Sequence, residues 1–160
     1  MAAPRYAGFG PRLLAFLVDA AILSLLTGVY AALVGGSVAA TLFALAVALN
    51  GLTPEVRGVA ALGAGLALLA VVVGATVLHV TYWVLFTGLT GRTPGKMVAG
   101  LRVVDAEGAR PGIARAAMRE LVGKFLAGLP LWLGFVWAAF DGRRQGWHDK
   151  IADTYVVHTR

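Results

Sequence analysis

In a chain this apolar, the side chains able to do chemistry are few, and five stand out by type and place: Arg12, Asp19, His79, Asp141 and Asp149. Asp19 lies inside PRLLAFLVDAAILSLL, residues 11–26. An aspartate at the centre of a membrane helix costs about 2.5–3.5 kcal/mol on insertion scales, so it must face protein or water and find a partner. Protonation would relieve part of that cost, and desolvation pushes in that direction. Two kinds of chemistry follow: a polar contact between helices, or a carboxylate that binds a cation or a proton. Arg12 lies seven residues earlier. On a helix the two share a face within about 20°, but about 10 Å apart along it, so they do not touch. Arg12 is placed to reach the headgroups as an anchor.

His79 is one possible partner for Asp19. If the second apolar block ends near Gly88, His79 sits about 13 Å from its cytoplasmic end, against about 10 Å between Asp19 and Arg12. Antiparallel helices would hold the two at similar depth, and a His–Asp pair within a bilayer can relay protons. The other candidate partners are the basic groups of residues 115–124 and 143–150. The remaining motifs point away from catalysis. GRTPGK, residues 91–96, has Thr90 where a phosphate loop needs its first Gly, and Met97 where it needs Ser or Thr. His148-Asp149 is a single pair in a chain with three histidines, too few ligands for a metal hydrolase. No Ser-His-Asp or paired-carboxylate arrangement stands out. The expectation is therefore no enzyme, no cofactor and no metal. With no cysteine there are no disulfides or thiolate sites either.

The elements that must position these residues are membrane helices. Hydrophobic residues make up 59% of the chain and charged ones 14%, with a mean hydropathy of +0.78, whereas ordinary globular domains carry about 25% charged residues. Transmembrane helices are expected over about residues 12–36 and 58–88, each long enough for about 30 Å of hydrocarbon. Gly35-Gly36 should interrupt the first, leaving residues 37–49 as an extension of it or a half-helix in the far leaflet, and residues 50–58 should form a turn. The aspartate in the core of the first segment argues against a cleaved signal peptide.

A cytoplasmic module is expected over about 89–124. In it Pro94-Gly95 suits a type II turn, and KMVAGLRVVD should be a strand ending in the turn Ala106-Glu107-Gly108. Residues 112–129 place Ile113, Ala117, Met118, Leu121, Val122, Phe125 and Leu129 at helical spacing, which suits a helix on the membrane surface with its basic residues toward headgroups. Glu120 and Lys124 are spaced to pair. A short hydrophobic segment, about 125–140, is expected to re-enter or to form a third span, and about 151–158 to be a C-terminal strand pairing with GLRVVD.

Charge sets the expected topology. Of 14 Lys and Arg, two precede the first block, seven lie between residues 91 and 124, four follow residue 140, and only Arg57 lies between the long blocks. Placing the rich segments in the cytoplasm requires an even number of crossings and a cytoplasmic N-terminus. Three full crossings are the rival arrangement, but they would put Arg143, Arg144 and Lys150 outside and separate the two strands. The net charge of +6 is not read as nucleic-acid binding, because no basic, aromatic-interleaved segment stands clear of the apolar blocks.

Taken together, GFGPRLLAFLVD, GRTPGKMVAGLRVVDAEGARP and AFDGRRQGWHDKIADTYVV resemble, in order, the signature segments of the RDD family of small bacterial and archaeal membrane proteins, named for an arginine and two aspartates. The resemblance spans nearly the whole chain and matches Arg12 and Asp19 to the first two residues. The third is Asp141 or Asp149, with Asp141 preferred. His79 and residues 37–49 lie outside the pattern. The resemblance implies a single membrane domain over residues 1–160 in a cytoplasmic membrane, with transport of ions or other ligands as the usual suggestion for the family.

The reading is an all-α membrane protein: two full transmembrane helices, a surface amphipathic helix, a short re-entrant or third hydrophobic segment and a small cytoplasmic two-stranded β element. Two or three crossings rarely enclose a pathway. The leading expectation is thus a transport-related protein, moving a cation or a proton as a homo-oligomer or with a larger partner. The alternative is a non-catalytic accessory or assembly subunit of a larger membrane complex.

Overall fold

The computed structural model describes residues 5–48 and 53–159. It divides into two compact units, Met1–Ile22 with Val80–Arg160, and Leu23–His79. Two helical stretches, Phe9–Ala48 and Pro54–Thr90, are long and apolar enough to cross a membrane. In the first, α1 (Phe9–Tyr30) passes through a π-helical turn, Ala31–Gly35, into α2 (Gly36–Ala48). The expected break at Gly35-Gly36 is therefore only a widened turn: Gly36 keeps helical angles of φ −63° and ψ −44°. Residues 37–48 continue the first helix, so of the two expected readings the extension holds and the separate half-helix does not. Of the expected turn at 50–58, residues 50–52 lie outside the described residues, while Pro54 already begins α3 (Pro54–Leu85), where its missing N–H is harmless.

The Leu23–His79 unit consists of these helical stretches. Leu25, Leu33, Phe43, Val59, Leu62 and Leu68 all point outward, which water would penalise and lipid does not. Tyr30 packs against Gly74, where an added Cβ would come within 2.9 Å of the phenol ring.

The other unit holds most of the charged residues. A π-helical turn, Phe86–Thr90, follows α3 and ends at Gly91, which takes φ +70°. Thr93 then caps the short α4 (Pro94–Val98), its hydroxyl accepting from Lys96 N–H at 3.3 Å. Pro94-Gly95 is thus a helix start and not a type II turn, and the strand begins later than expected, at β1 (Leu101–Val104), after Gly100 reverses the chain at φ +65°. The turn at residues 105–108 forms, with Gly108 at φ +80°. β1 pairs with β2 (Tyr155–His158), as the sequence leads one to expect, and the ladder is antiparallel with Leu101 opposite His158 and Val104 opposite Tyr155. Tyr6 extends the ladder by bridging Val157. The C-terminal strand starts at 155 because α8 (Trp147–Ile151) precedes it. Ala7, Ala15, Leu101, Val103 and Val156 form the apolar core beneath.

Between the strands lie α5 (Gly112–Ala117), a π-helical segment Met118–Gly123, α6 (Lys124–Gly128), α7 (Leu133–Val136) and a 3₁₀ turn, Trp137–Ala139. The chain bends by 113° between the helix 112–128 and the helix 133–139. Leu131 and Trp132, both at positive φ, make that corner. The amphipathic pattern is present but turned inside out relative to a surface helix with outward charge. Met118, Leu121, Val122, Phe125 and Leu129 are exposed, whereas Arg119 and Glu120 are buried.

Candidate functional site

Two polar centres form within the Met1–Ile22 and Val80–Arg160 unit. The first surrounds Asp19, which is fully buried. Thr93 Oγ1 donates to its Oδ2 at 2.5 Å, and Tyr82 Oη and Gly95 N–H each donate to its Oδ1 at 2.7 Å. The local sequence explains the fit. Thr93 caps α4 and so points its hydroxyl inward. Gly95, two residues into α4, brings the backbone against α1: a Cβ there would fall 2.7 Å from Asp19 Cγ and closer still to the Ala15 carbonyl. Glycine is required here for space, not for a left-handed angle.

The second centre surrounds Asp149, also fully buried. Arg119 donates to Oδ1 from Nε at 3.0 Å and from Nη2 at 2.9 Å, Arg12 Nη1 closes on Oδ2, and Gly146 N–H donates to Oδ2 at 3.1 Å at the start of α8. The remaining Arg12 nitrogens are also engaged, Nε with Ala7 O at 3.0 Å and Nη2 with Arg144 O at 2.6 Å. Arg12 is therefore a cross-brace and not a headgroup anchor. Burial would raise the Asp149 pKa, but the His148 ring, Arg119 and Arg12 reverse this and hold its carboxyl well below the usual range.

Arg119 carries the network onward, its Nη1 lying 3.2 Å from Glu120 Oε1. Glu120 also meets Lys124, the i,i+4 pair expected from sequence. Burial would raise Glu120, yet Lys124, Arg119 and Lys96 together bring it down to about 2. Lys124 Nζ lies 3.7 Å from the centre of the Trp83 ring, and Lys96 Nζ lies 5.2 Å from the same ring.

The five residues singled out from sequence thus separate. Arg12 and Asp149 join directly, and Asp19 stands in its own centre. Asp141, preferred above as the third residue, meets neither. It is partly exposed, caps the following turn through Arg143 N–H at 3.0 Å and Gln145 N–H at 3.1 Å, and pairs with Lys150 at 2.5 Å. Its pKa is lowered, first by the Lys150 contact. His79 makes its contact at home, Nδ1 lying 2.9 Å from Ala75 O one turn earlier. Arg119 does not serve Asp19 but Asp149, and Arg143 reaches Tyr155 Oη at 3.3 Å. Sequence reasoning missed Tyr82, Thr93 and Gly95 as the donors to Asp19. A Thr-Pro pair is a helix-start signal that could have flagged Thr93. Among the described residues no group of three or more His, Cys, Asp or Glu is placed to hold a metal.

Long apolar helices, one aspartate sealed by hydroxyl and amide donors, and a second gripped by two arginines define a small membrane protein with buried polar locks. The RDD family's sequence model matches residues 6–153, and the chain belongs to that family. It is 35% identical over 85 residues to the uncharacterised membrane protein YteJ of Bacillus subtilis (strain 168), covering 52% of this chain and 51% of the relative. It is 35% identical over 83 residues to the uncharacterised protein YxaI of the same organism, covering 51% and 54%, and 30% identical over 77 residues to an uncharacterised protein of Rickettsia prowazekii (strain Madrid E), covering 48% and 42%. The matches span about half the length of these relatives. No solved structure matches the chain.

Proposed function

We propose that this protein is a non-catalytic membrane subunit whose two polar locks fasten a cytoplasmic module to the near ends of its spanning helices, and which works as a homo-oligomer or within a larger membrane complex. The observation that carries this reading is the state of Asp19: both oxygens accept from neighbouring donors, at 2.5–2.7 Å. Three of the roughly four acceptor sites of this fully buried carboxylate are thus filled by Tyr82, Gly95 and Thr93, which leaves little of it to coordinate a cation. An aspartate so engaged holds elements together, which fits an assembly role better than the transport role expected from its burial alone.

The membrane arrangement belongs to the same proposal. The segment 112–139 dips into the cytoplasmic leaflet and returns, leaving an even number of crossings and the N-terminus in the cytoplasm of a bacterial or archaeal cell. Its 113° bend and outward Phe125 and Leu129 support this, as does the β1–β2 pairing, which joins the chain before that segment to the chain after it. The experiment compares Asp19→Asn and Asp19→Ala in the full chain by mild-detergent purification, mass spectrometry of co-eluting proteins, and ion and proton flux in liposomes. The assembly reading expects Asp19→Ala to lose its co-eluting partners or its own oligomer, with flux absent from the wild type. Flux that Asp19→Asn abolishes would instead establish transport, the second reading, which retains one supporting observation: a buried lysine that forms no close ion pair among the described residues.

A further inference from the structure

That lysine is Lys96, and the groups around it are short of one negative charge. Four cations, Arg12, Lys96, Arg119 and Lys124, gather with three carboxylates, Asp19, Glu120 and Asp149. Asp149 is taken by Arg12 and Arg119, Glu120 by Arg119 and Lys124, and Asp19 by Tyr82, Thr93 and Gly95. Lys96 is buried, and its ammonium group makes no hydrogen bond or ion pair among the described residues. It lies over the Trp83 ring, which Lys124 also occupies, at closer range.

We propose that Lys96 is a proton-binding site: the amine is neutral while Lys124 holds Glu120, and it takes a proton from water by competing with Lys124 for that carboxylate. The charged groups that act on it are Asp19 on α1, Arg119 and Glu120 on the π-helical segment and Lys124 on α6, with the Trp83 ring of α3 beside it. Burial disfavours the ammonium form, and the Arg119 charge adds to that. Glu120 opposes it, Lys124 reinforces it, and the balance pushes the Lys96 pKa down to about 7. Protonation then places two ammonium groups beside Glu120 and weakens the hold of α6 on that carboxylate. The proton site does not depend on transport, since an assembly subunit would carry the same chemistry as a pH-responsive joint.

The test uses the full chain in lipid nanodiscs with 13C at the lysine ε-carbon, read by NMR from pH 5 to pH 11. The lysines are Lys96, Lys124 and Lys150, so Lys124→Arg and Lys150→Arg assign the signals by subtraction without touching Lys96. The expected result is one signal with a midpoint near 7, absent in Lys96→Met, while Lys150 titrates at the ordinary lysine value. Lys124→Gln should raise the Lys96 midpoint, because a repelling charge leaves, and Glu120→Gln should lower it. A Lys96 signal that titrates at the ordinary lysine value, or a midpoint that neither variant moves, overturns the proposal.

Discussion

A carboxylate shut away from water contributes to a fold only when its lone pairs are met, and the two buried aspartates meet that condition by different means. Asp19 accepts from neutral donors, Asp149 from two guanidiniums. Removing Asp19 strands three donors, each costing about 1–3 kcal/mol when left unpaired. Asp19→Ala should therefore lower the midpoint of thermal unfolding in detergent clearly more than Asp19→Asn, which keeps one acceptor. Asp149→Ala leaves the buried Arg119 and the partly buried Arg12 without their counter-charge, a loss of about 3–5 kcal/mol, whereas Asp141→Asn removes a pair whose lysine is exposed and should shift stability by less than about 1 kcal/mol. Heating followed by size-exclusion detection ranks the four variants, and an Asp141 variant as damaged as the Asp149 one would refute the assignment. Lys96 adds a pH dependence of definite sign. Its folded pKa is about 7 against an ordinary value of 10.5, so between those values the unfolded chain holds more protons and stability rises with pH. Below about 7 both forms hold the proton and the contribution is constant. Thermal scans at pH 7, 8 and 9 should show this rise in the wild type and a flatter profile in Lys96→Met.

At the scale of elements, the joint between α1 and α4 depends on one missing side chain. Gly95→Ala would push a methyl group against the Ala15 carbonyl and Asp19 Cγ, so α4 must move outward and take Thr93 with it. Its expected loss of stability approaches that of Asp19→Ala, while Gly128→Ala, in the same unit and with open space at its Cβ, should be close to neutral. The sequence carried the apolar spans, the strand pair and the Glu120–Lys124 contact, because each follows from a local period or a fixed spacing. It did not carry the partners of Asp19. Tyr82 looked like an interfacial ring and Gly95 like a turn residue, since both roles are compatible with the same local sequence and only the approach of α4 to α1 selects between them. The long helix also concealed the π-helical segment at Met118–Gly123. A wider turn alters which side chains face inward, and here Arg119 and Glu120 are buried in a stretch whose periodicity suggested outward charge.

At the scale of the whole molecule, charge and strand pairing make the same demand on topology. Seven basic residues between 91 and 124 and four after 140 belong to segments bracketing the bent helix, and β1 and β2 hydrogen-bond to each other across that interval. If residues 112–139 crossed the membrane fully, β1 and β2 would stand on opposite faces and the ladder could not form. A full crossing would also carry Arg143, Arg144 and Lys150 outward against the positive-inside bias. A reporter fused after residue 160 should therefore be found on the cytoplasmic face, as should one fused before residue 1. Brominated lipids give an independent reading of the same arrangement. Trp132 and Trp137 are exposed near the corner of the bend, so bromine placed shallow in the acyl chain should quench them more strongly than bromine at the bilayer midplane. Removing both by Trp132→Phe and Trp137→Phe should abolish that preference. An external C-terminal reporter, or quenching strongest at the midplane, would require a third crossing, and with it the separation of the two strands.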